Sequence, residues 1–184
     1  MKRLAETFEA QVIMSDPNLA ITVDNMCSEW GMVSYPQLSV LLVQLRFLSM
    51  IHQNHHWSAK GDPFYGDHLM FQRLYDAANA EVDAVAEKAV GLGSTSNVDM
   101  QLCATQLMRL VQGYGMVQLI PQPTELMKRS LMAELNFLMV TSLLVESLKE
   151  NGIMTRGLDN MIAGIEDSHE GAVYLLKQRL TPGQ

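Results

Sequence analysis

Apolar residues recur at helical spacing along most of this chain, and proline and glycine separate the helical segments. We therefore predict four long helices: Pro36 to about Ser58, about Phe64 to Leu92, about Thr124 to Glu150, and about Thr155 to Leu180. In the first of them the apolar positions are Leu38, Leu41, Leu42, Leu45, Leu48 and Ile51. No segment shows the sustained apolar–polar alternation of a half-buried strand. The pattern predicts an all-α protein.

Shorter segments connect the long helices. Residues 60–63 read as a turn, residues 93–97 as a loop, and about Val98 to Gln112 as a short helix between the second and third long helices. Four long helices with one short crossover helix are typical of a four-helix bundle. We therefore predict a four-helix bundle domain over residues 35–184.

An N-terminal extension over residues 1–34 precedes this domain. Its first part, Leu4 to about Met14, is predicted as a short amphipathic helix that stops before Asp16-Pro17. A looser stretch is expected from there to Pro36, with Ser34 as a candidate cap of the first long helix.

Composition narrows the class of protein. Hydrophobic residues make up 48% of the 184 residues and charged residues 18%, so a sizeable core and further surface hidden in an oligomer are expected. The net charge of −7 argues against a protein that coats nucleic acid through its overall field. The two cysteines, Cys27 and Cys103, show no CxxC spacing, which favours a reducing cytoplasm. The apolar runs at 38–51 and 135–145 are too broken or too short to span a membrane, so a soluble protein is expected.

Four side chains that can bind metal lie on either side of the predicted turn: His56, His68, Asp83 and Glu87. Imidazole nitrogens and carboxylate oxygens are ligands of iron(II) and its first-row neighbours. On one helix His68 and Asp83 are about 22 Å apart along the axis, whereas the ligands of one ion lie within about 2.0–2.2 Å of it. Two antiparallel copies related by a two-fold axis could bring them together. The pattern therefore predicts a metal site between subunits.

Each of these residues also has an ordinary structural interpretation. An Asp–Glu pair four residues apart usually lies on a solvated helix face. A lone histidine on a helix is more often a surface or hydrogen-bonded residue than a ligand. Only the set of four favours a metal site.

The spacing of these residues resembles that of a known family. The pattern His-Trp-x3-Gly-x6-His-x14-Asp-x3-Glu, ending in Ala-Val-x-Leu-Gly, is met without a gap by residues 56–93 and closely resembles the Dps family of miniature ferritins. The resemblance implies a ferritin-like four-helix bundle that assembles into a hollow homo-dodecamer, with iron-oxidation sites at its two-fold interfaces. There His56 and His68 of one subunit would meet Asp83 and Glu87 of its mate. Trp57 is expected first of all to pack against its neighbours, and the resemblance also implies that it is an electron source beside the metal.

One position departs from the family pattern. The family usually has an aspartate four residues after the second histidine, and this chain has Gln72 there. An amide oxygen is a neutral and weaker ligand than a carboxylate, so a second iron position is expected to be weakened. We place Gln72, Trp57 and His52 beside the metal rather than on it.

Three other features have a functional and a structural interpretation. His52 and His55 form either an iron-entry relay or, as we expect, an ordinary polar stripe. Glu166 and His169 have the spacing of a carboxylate di-iron motif, but no second such motif is found, so an exposed patch on the last helix is expected. The fourteen methionines are expected to fill the core rather than bind copper.

The resemblance thus implies an iron-binding ferroxidase and iron-storage shell. It would oxidise iron(II) with hydrogen peroxide or oxygen and protect against oxidative damage. The alternative is a structural or interaction protein of the same fold with weakened or lost ferroxidase activity, which Gln72 and the atypical N-terminal residues favour. DNA binding is expected to be weak, because the chain has no lysine-rich tail and no basic patch with interleaved aromatic residues. No membrane partner is expected.

Overall fold

The long helices begin and end close to the predicted residues. The computed structural model describes residues 17–114 and 122–181, with side chains from residue 22 onward. Within these ranges the chain forms helices and no strand. The helices are α1 (Pro17–Ser28), α2 (Pro36–Ser58), α3 (Phe64–Leu92), α4 (Met100–Tyr114), α5 (Pro123–Glu150) and α6 (Arg156–Leu180), with a 3₁₀ turn at Thr95–Val98. The all-α prediction is confirmed.

Contacts between side chains fix the direction in which the four long helices run past one another. Helix α2 packs on α3 and α5, and α6 packs on the same two helices. Each of these four contacts is antiparallel, as shown by the pairs Ser49–Asn79 and His56–His68 (α2 with α3), Gln37–Ser147 and His52–Glu134 (α2 with α5), Lys149–Asp159 and Glu134–His169 (α5 with α6), and Asp67–Arg179 and Glu81–His169 (α3 with α6). Helices α3 and α5 therefore run in the same direction. The connection through α4 must return along the length of the packed helices.

Helix α2 is the most enclosed element. Its predicted apolar positions are buried, and so are several of its polar side chains, including Gln37, Ser39, Gln44 and His52. Helices α1, α3, α4 and α5 all contact it. Because α2 is covered on nearly every side, its polar residues must find partners inside the protein.

The segment before α2 differs from the prediction. The stretch expected to be loose contains α1, whose Val23 and Met26 are buried together with Trp30 at helical spacing. The indole N–H of Trp30 donates to Oε1 of Gln106 at 3.2 Å, and Nε2 of Gln106 donates to the carbonyl oxygen of Met26 at 2.8 Å. These bonds fasten α1 to α4. The helix predicted over residues 4–14 lies outside the described residues.

Two helix caps also differ from expectation. Tyr35, not Ser34, is the N-cap residue of α2, and no side chain caps that helix, so the proline in its first turn starts it instead. The segment predicted as a loop at 93–97 includes the 3₁₀ turn, which begins in a capping box formed by Ser94 and Asn97. Because of that turn α4 begins at Met100, two residues later than predicted.

Helix α5 is the one helix in the described part of the chain that is long and apolar enough to cross a membrane by length and composition alone. Half of its most apolar window is buried inside the protein. The core helix of a soluble protein meets the same criterion.

At the end of α3 the side chain of Asn97 packs closely against Gly93 and bonds to residues at the start of α2. Asn97 is fully buried, and its amide N–H groups donate to the carbonyl oxygen of Tyr35 and to Oγ of Ser39. A Cβ atom added to Gly93 would collide with Oδ1 of Asn97 and would lie 3.0 Å from the carbonyl oxygen of Ala89. Only glycine leaves room for the Asn97 side chain.

We expect Gly93→Ala to lower the free energy of unfolding by about 1–3 kcal/mol, the usual cost of overpacking. The matched control is Gly164→Ala in α6, where an added Cβ meets nothing within 4 Å. That change should raise stability by about 0.5–1 kcal/mol, because glycine is unfavourable inside a helix. Urea denaturation of both variants measures the difference. If Gly93→Ala and Gly164→Ala have equal free energies of unfolding, Asn97 does not occupy the space beside Gly93.

Candidate metal centre

The turn between α2 and α3 brings His56 and His68 together. Their rings stack with centroids 3.6 Å apart and 23° between the planes. Nδ1 of His56 lies 2.9 Å from the carbonyl oxygen of His68, and Nδ1 of His68 lies 3.0 Å from the carbonyl oxygen of His56. A carbonyl oxygen only accepts hydrogen bonds, so each Nδ1 atom carries the proton. In the neutral rings each Nε2 atom keeps its lone pair.

This arrangement is the one that metal-binding histidines usually have. A ligating imidazole typically donates its other ring N–H to a carbonyl or carboxylate, which fixes the tautomer and the ring orientation. Both rings are half-buried, and neither Nε2 atom is hydrogen-bonded to a residue in the described ranges. The Tyr75 ring meets His56 edge-on at 5.3 Å, and the Phe64 ring lies 5.0 Å from His68. Two imidazole rings are thus held side by side in fixed orientations.

Asp83 and Glu87 lie further along α3, the helix that carries His68. Both are exposed on α3 and form no ion pair with a described residue. Fifteen residues separate His68 from Asp83, which corresponds to about 22 Å along the helix axis. Within residues 17–114 and 122–181, no group of three or more His, Cys, Asp or Glu side chains could hold a metal ion. One chain therefore brings His56 and His68 together but leaves Asp83 and Glu87 far from them along α3.

The residues predicted beside the metal have different surroundings. Gln72 is half-buried one turn after His68, and its amide forms no hydrogen bond to a described residue. Trp57 is 69% exposed, so a single chain gives its ring no packing role. His52 is fully buried and bonds to side chains of α5. It belongs to the interior of the protein and not to the surface beside His56.

A chain of hydrogen bonds crosses the core and joins all four long helices. Nε2 of His52 lies 2.7 Å from Oε1 of Glu134. Oε2 of Glu134 lies 2.6 Å from Nδ1 of His169, whose Nε2 lies 2.8 Å from Oε2 of Glu81. The Glu134 side chain is 1% exposed and that of His169 3% exposed. The expectation of an exposed patch is therefore wrong for His169, although Asp167 and Ser168 before it are exposed.

Donor and acceptor roles assign the protons in this chain. Ionised carboxylates only accept, so His169, which faces a carboxylate at each nitrogen, donates from both and is positively charged. His52 donates from Nε2 to Glu134, and its Nδ1 accepts from the hydroxyl of Ser130 at 3.2 Å. Every one of these side chains has a partner, so the cluster needs no metal ion to satisfy it.

The chain of bonds continues beyond Ser130. Nδ1 of His55 donates to Oγ of Ser130 at 2.7 Å, and Nε2 of His55 accepts from the hydroxyl of Tyr114 at 3.2 Å. Burial lowers the pKa of His55 to about 3, and the nearby His52 and Arg129 add to this effect. The neutral His55 therefore belongs to the core. The expected polar stripe of His52 and His55 thus faces the interior of the protein.

Charge in the core is concentrated on Glu134 and His169. Burial alone would lower the pKa of His169, but the hydrogen bonds and charges of Glu134 and Glu81 outweigh it and raise the pKa to about 9. Burial alone would raise the pKa of Glu134, but the hydrogen bonds from His169 and His52 lower it well below its usual range. At neutral pH these two groups form a buried ion pair.

Sequence reasoning missed Glu134 and Glu81. The available signal was that Glu134 falls among inward-facing residues of α5, next to Leu131 and Leu135, which are both buried.

A groove of about 450 Å³ between α3 and α6 borders Glu134 and His169.

Comparison with known proteins does not assign a family. The chain matches no protein-family model, and no curated protein matches it. The features that bear on its function are the geometry of His56 and His68 and the chain of hydrogen bonds in the core.

We expect the protein to lose stability between about pH 6.5 and about pH 9, because His169 loses its proton over this interval. The pKa of His169 is raised in the folded state, so its contribution is complete below the unfolded value of 6.5 and disappears as the pH rises through about 9. Urea denaturation near pH 6 and above pH 9 measures this loss.

His169→Gln should remove the part of the stability loss at alkaline pH that comes from deprotonation of His169. Asp167→Asn on the same helix is the control, because that exposed side chain forms no hydrogen bond to His169 or to either of its carboxylate partners. If His169→Gln loses as much stability at alkaline pH as the native protein, the ion pair with Glu134 is not what the pH change removes.

Proposed function

We propose that this protein is a Dps-like ferroxidase and iron-storage protein, with iron(II) as its substrate. The observation that carries the proposal is the His56–His68 pair. Each ring is fixed by the backbone of the other, and each presents an Nε2 lone pair without a described partner. Imidazole nitrogens of this tautomer are what iron(II) accepts as ligands.

The arrangement of the helices supports a ferritin-like four-helix bundle. Helices α3 and α5 run in the same direction and are joined through α4, while the other neighbouring long helices are antiparallel. A bundle with one long crossover connection is the ferritin-like arrangement. The proposed fold therefore rests on the order and direction of the helices.

A second copy of the chain would complete the metal site. Asp83 and Glu87 are exposed, and no described residue pairs with them, so their oxygens are available to another subunit. Two imidazoles and two carboxylates make a ligand set suited to iron(II). The proposed assembly is a homo-oligomer, with a dodecamer as the form that the resemblance implies.

The chemistry of the reaction defines what the residues must do. Two iron(II) ions and one hydrogen peroxide molecule, with two water molecules, give two units of ferric oxyhydroxide and release four protons. His56, His68, Asp83 and Glu87 would hold iron(II) and leave a position open for the oxidant. Removing iron(II) and peroxide together would limit hydroxyl-radical damage.

Gln72 favours a second candidate function, an assembly that keeps the fold but oxidises iron poorly. Its amide lies one turn from His68, where the family has a carboxylate, and supplies no negative charge. Rapid mixing of the assembled protein with iron(II) and peroxide, followed by the absorbance of the ferric product, separates the two candidates.

Both cysteines support a reducing, cytoplasmic location. They are free thiols, Cys27 half-buried and Cys103 buried. Burial raises the pKa of Cys27 to about 12, and the neighbouring Asp24 adds to this effect. Such thiols are poorly reactive and form no disulfide in the structure.

Complementation between chains tests whether the site is shared. One variant carries His56→Ala and His68→Ala, and the other carries Asp83→Asn and Glu87→Gln. Each alone should be inactive in iron oxidation, because every interface site lacks half of its ligands. In a random mixture about half of the dimers are mixed and each has one complete site, so roughly a quarter of all sites should recover.

The mixed assemblies must be verified by mass and by light scattering before activity is measured. A site within one chain predicts no recovery at all. Inactive mixed assemblies would therefore contradict the shared site, while an inactive native protein would contradict the ferroxidase function itself.

We expect Gln72→Asp to strengthen iron binding or to speed iron oxidation, because it adds a charged oxygen on the His68 side of α3. Anaerobic iron(II) titration and stopped-flow absorbance measure the two effects. Gln178→Asp, which adds the same carboxylate at an exposed position on α6, is the control and should have a smaller effect. An unchanged or slower rate in an intact assembly would mean that Gln72 does not face the metal.

A further inference from the structure

One side of α3 has a symmetric order of residues. Six residues on this side define what we term the α3 stripe: Tyr65, His68, Gln72, Asp83, Glu87 and Val90. The intervals between them are three, four, eleven, four and three residues, so they recur close to the helical period. The order reads apolar, ligand, amide, ligand, ligand, apolar. A helix with this spacing can face an antiparallel copy of itself residue for residue.

A two-fold axis at the middle of the stripe pairs its two halves. His68 then lies opposite Glu87 of the other copy, and Gln72 lies opposite Asp83. The outer residues, Tyr65 and Val90, also fall opposite each other. An interface of this kind uses the same patch on both subunits and must be self-complementary. The same alignment that completes the metal site therefore decides what meets at the ends of the stripe.

One end of the stripe carries exposed aromatic side chains. Tyr65 is 72% exposed, Trp57 is 69% exposed and Phe64 is 44% exposed. Phe64 contacts His68, and Trp57 follows His56 in the chain, so all three lie around the turn between α2 and α3. Large apolar side chains exposed together in this way mark an interaction surface.

The other end of the stripe borders an apolar groove. Its volume is about 810 Å³, and its lining includes Leu42, Val90, Met100, Ala104 and Leu107. Met100 is 83% exposed at the groove. Glu87 and Arg46 also border it. The groove thus lies directly beside the carboxylate half of the proposed metal site.

We propose that this groove receives the aromatic turn of a second copy of the chain, with Trp57 and Tyr65 as the docking side chains. The inference rests on the proposed function, because the sharing of His68 and Glu87 sets the alignment. In a two-fold dimer each chain supplies one aromatic turn and one groove, so both exposed apolar surfaces are covered. Arg46 at the rim of the groove and Asp62 in the aromatic turn are both exposed and carry opposite charges.

Tryptophan fluorescence tests the docking without iron. The chain has two tryptophans; Trp30 is 4% exposed and hydrogen-bonded to Gln106, whereas Trp57 is exposed. In the assembled native protein we expect iodide to quench little of the emission, because Trp57 is covered. In protein diluted below the dissociation constant of the assembly, iodide should quench the Trp57 component.

A charge placed in the groove should prevent docking. Ala104→Glu introduces a carboxylate at an exposed position that lines the groove, and Thr105→Glu introduces one at the next residue of the same helix, outside the groove. Analytical ultracentrifugation should show at least a tenfold weaker association for Ala104→Glu and little change for Thr105→Glu. Iodide should quench Trp57 in Ala104→Glu under conditions where it is shielded in the native protein.

Different outcomes contradict different claims. If Trp57 remains quenchable in the native assembly, or if Ala104→Glu associates as the native protein does, the docking is wrong even where iron is oxidised. If Trp57 is shielded but iron(II) is not oxidised, the docking stands and the ferroxidase function falls. A native protein that stays monomeric at micromolar concentration overturns both.

Discussion

The ion pair between Glu134 and His169 is the constraint on which the positions of the long helices depend. A charge buried without a partner is strongly destabilising, so each of the two groups requires the other. Glu134 on α5 also accepts from His52 on α2, and His169 on α6 also donates to Glu81 on α3. A shift of any one helix along its neighbours would leave a buried charge with too few hydrogen bonds.

This constraint also reaches the candidate metal centre. His52 lies one turn before His56 on α2, and Glu81 lies two residues before Asp83 on α3. The buried chain thus fixes the two helices that carry the four proposed ligands, although none of those ligands belongs to it. A rigid support of this kind is what a metal site needs, because ligand distances tolerate little variation. The same helices thus carry the buried chain of hydrogen bonds, which fixes their positions, and the proposed ligands at the surface.

Local signals in the sequence predicted the long helices and the histidine pair. Pro36, Pro63 and Gly93 mark where α2 and α3 begin and end, and the short turn between these helices forces His56 and His68 together. The interior chain could not be predicted in this way, because His52 and Glu134 are 82 residues apart and meet only when α2 packs on α5. Spacing along a helix defines its faces, but α2 is covered on nearly all of them, so spacing alone could not show that its polar face is buried.

The reciprocal bonds between His56 and His68 make these two residues behave as a single unit. Each ring is oriented by the backbone carbonyl of the other residue, in a turn that both helices hold closed. Replacing one ring removes the stacking partner of the other ring, whereas the backbone carbonyl that binds the remaining Nδ1–H stays in place. The energetic effects of the two replacements are therefore coupled and should not add. A metal that binds to either ring therefore meets an imidazole whose orientation is already set by the backbone of the other residue.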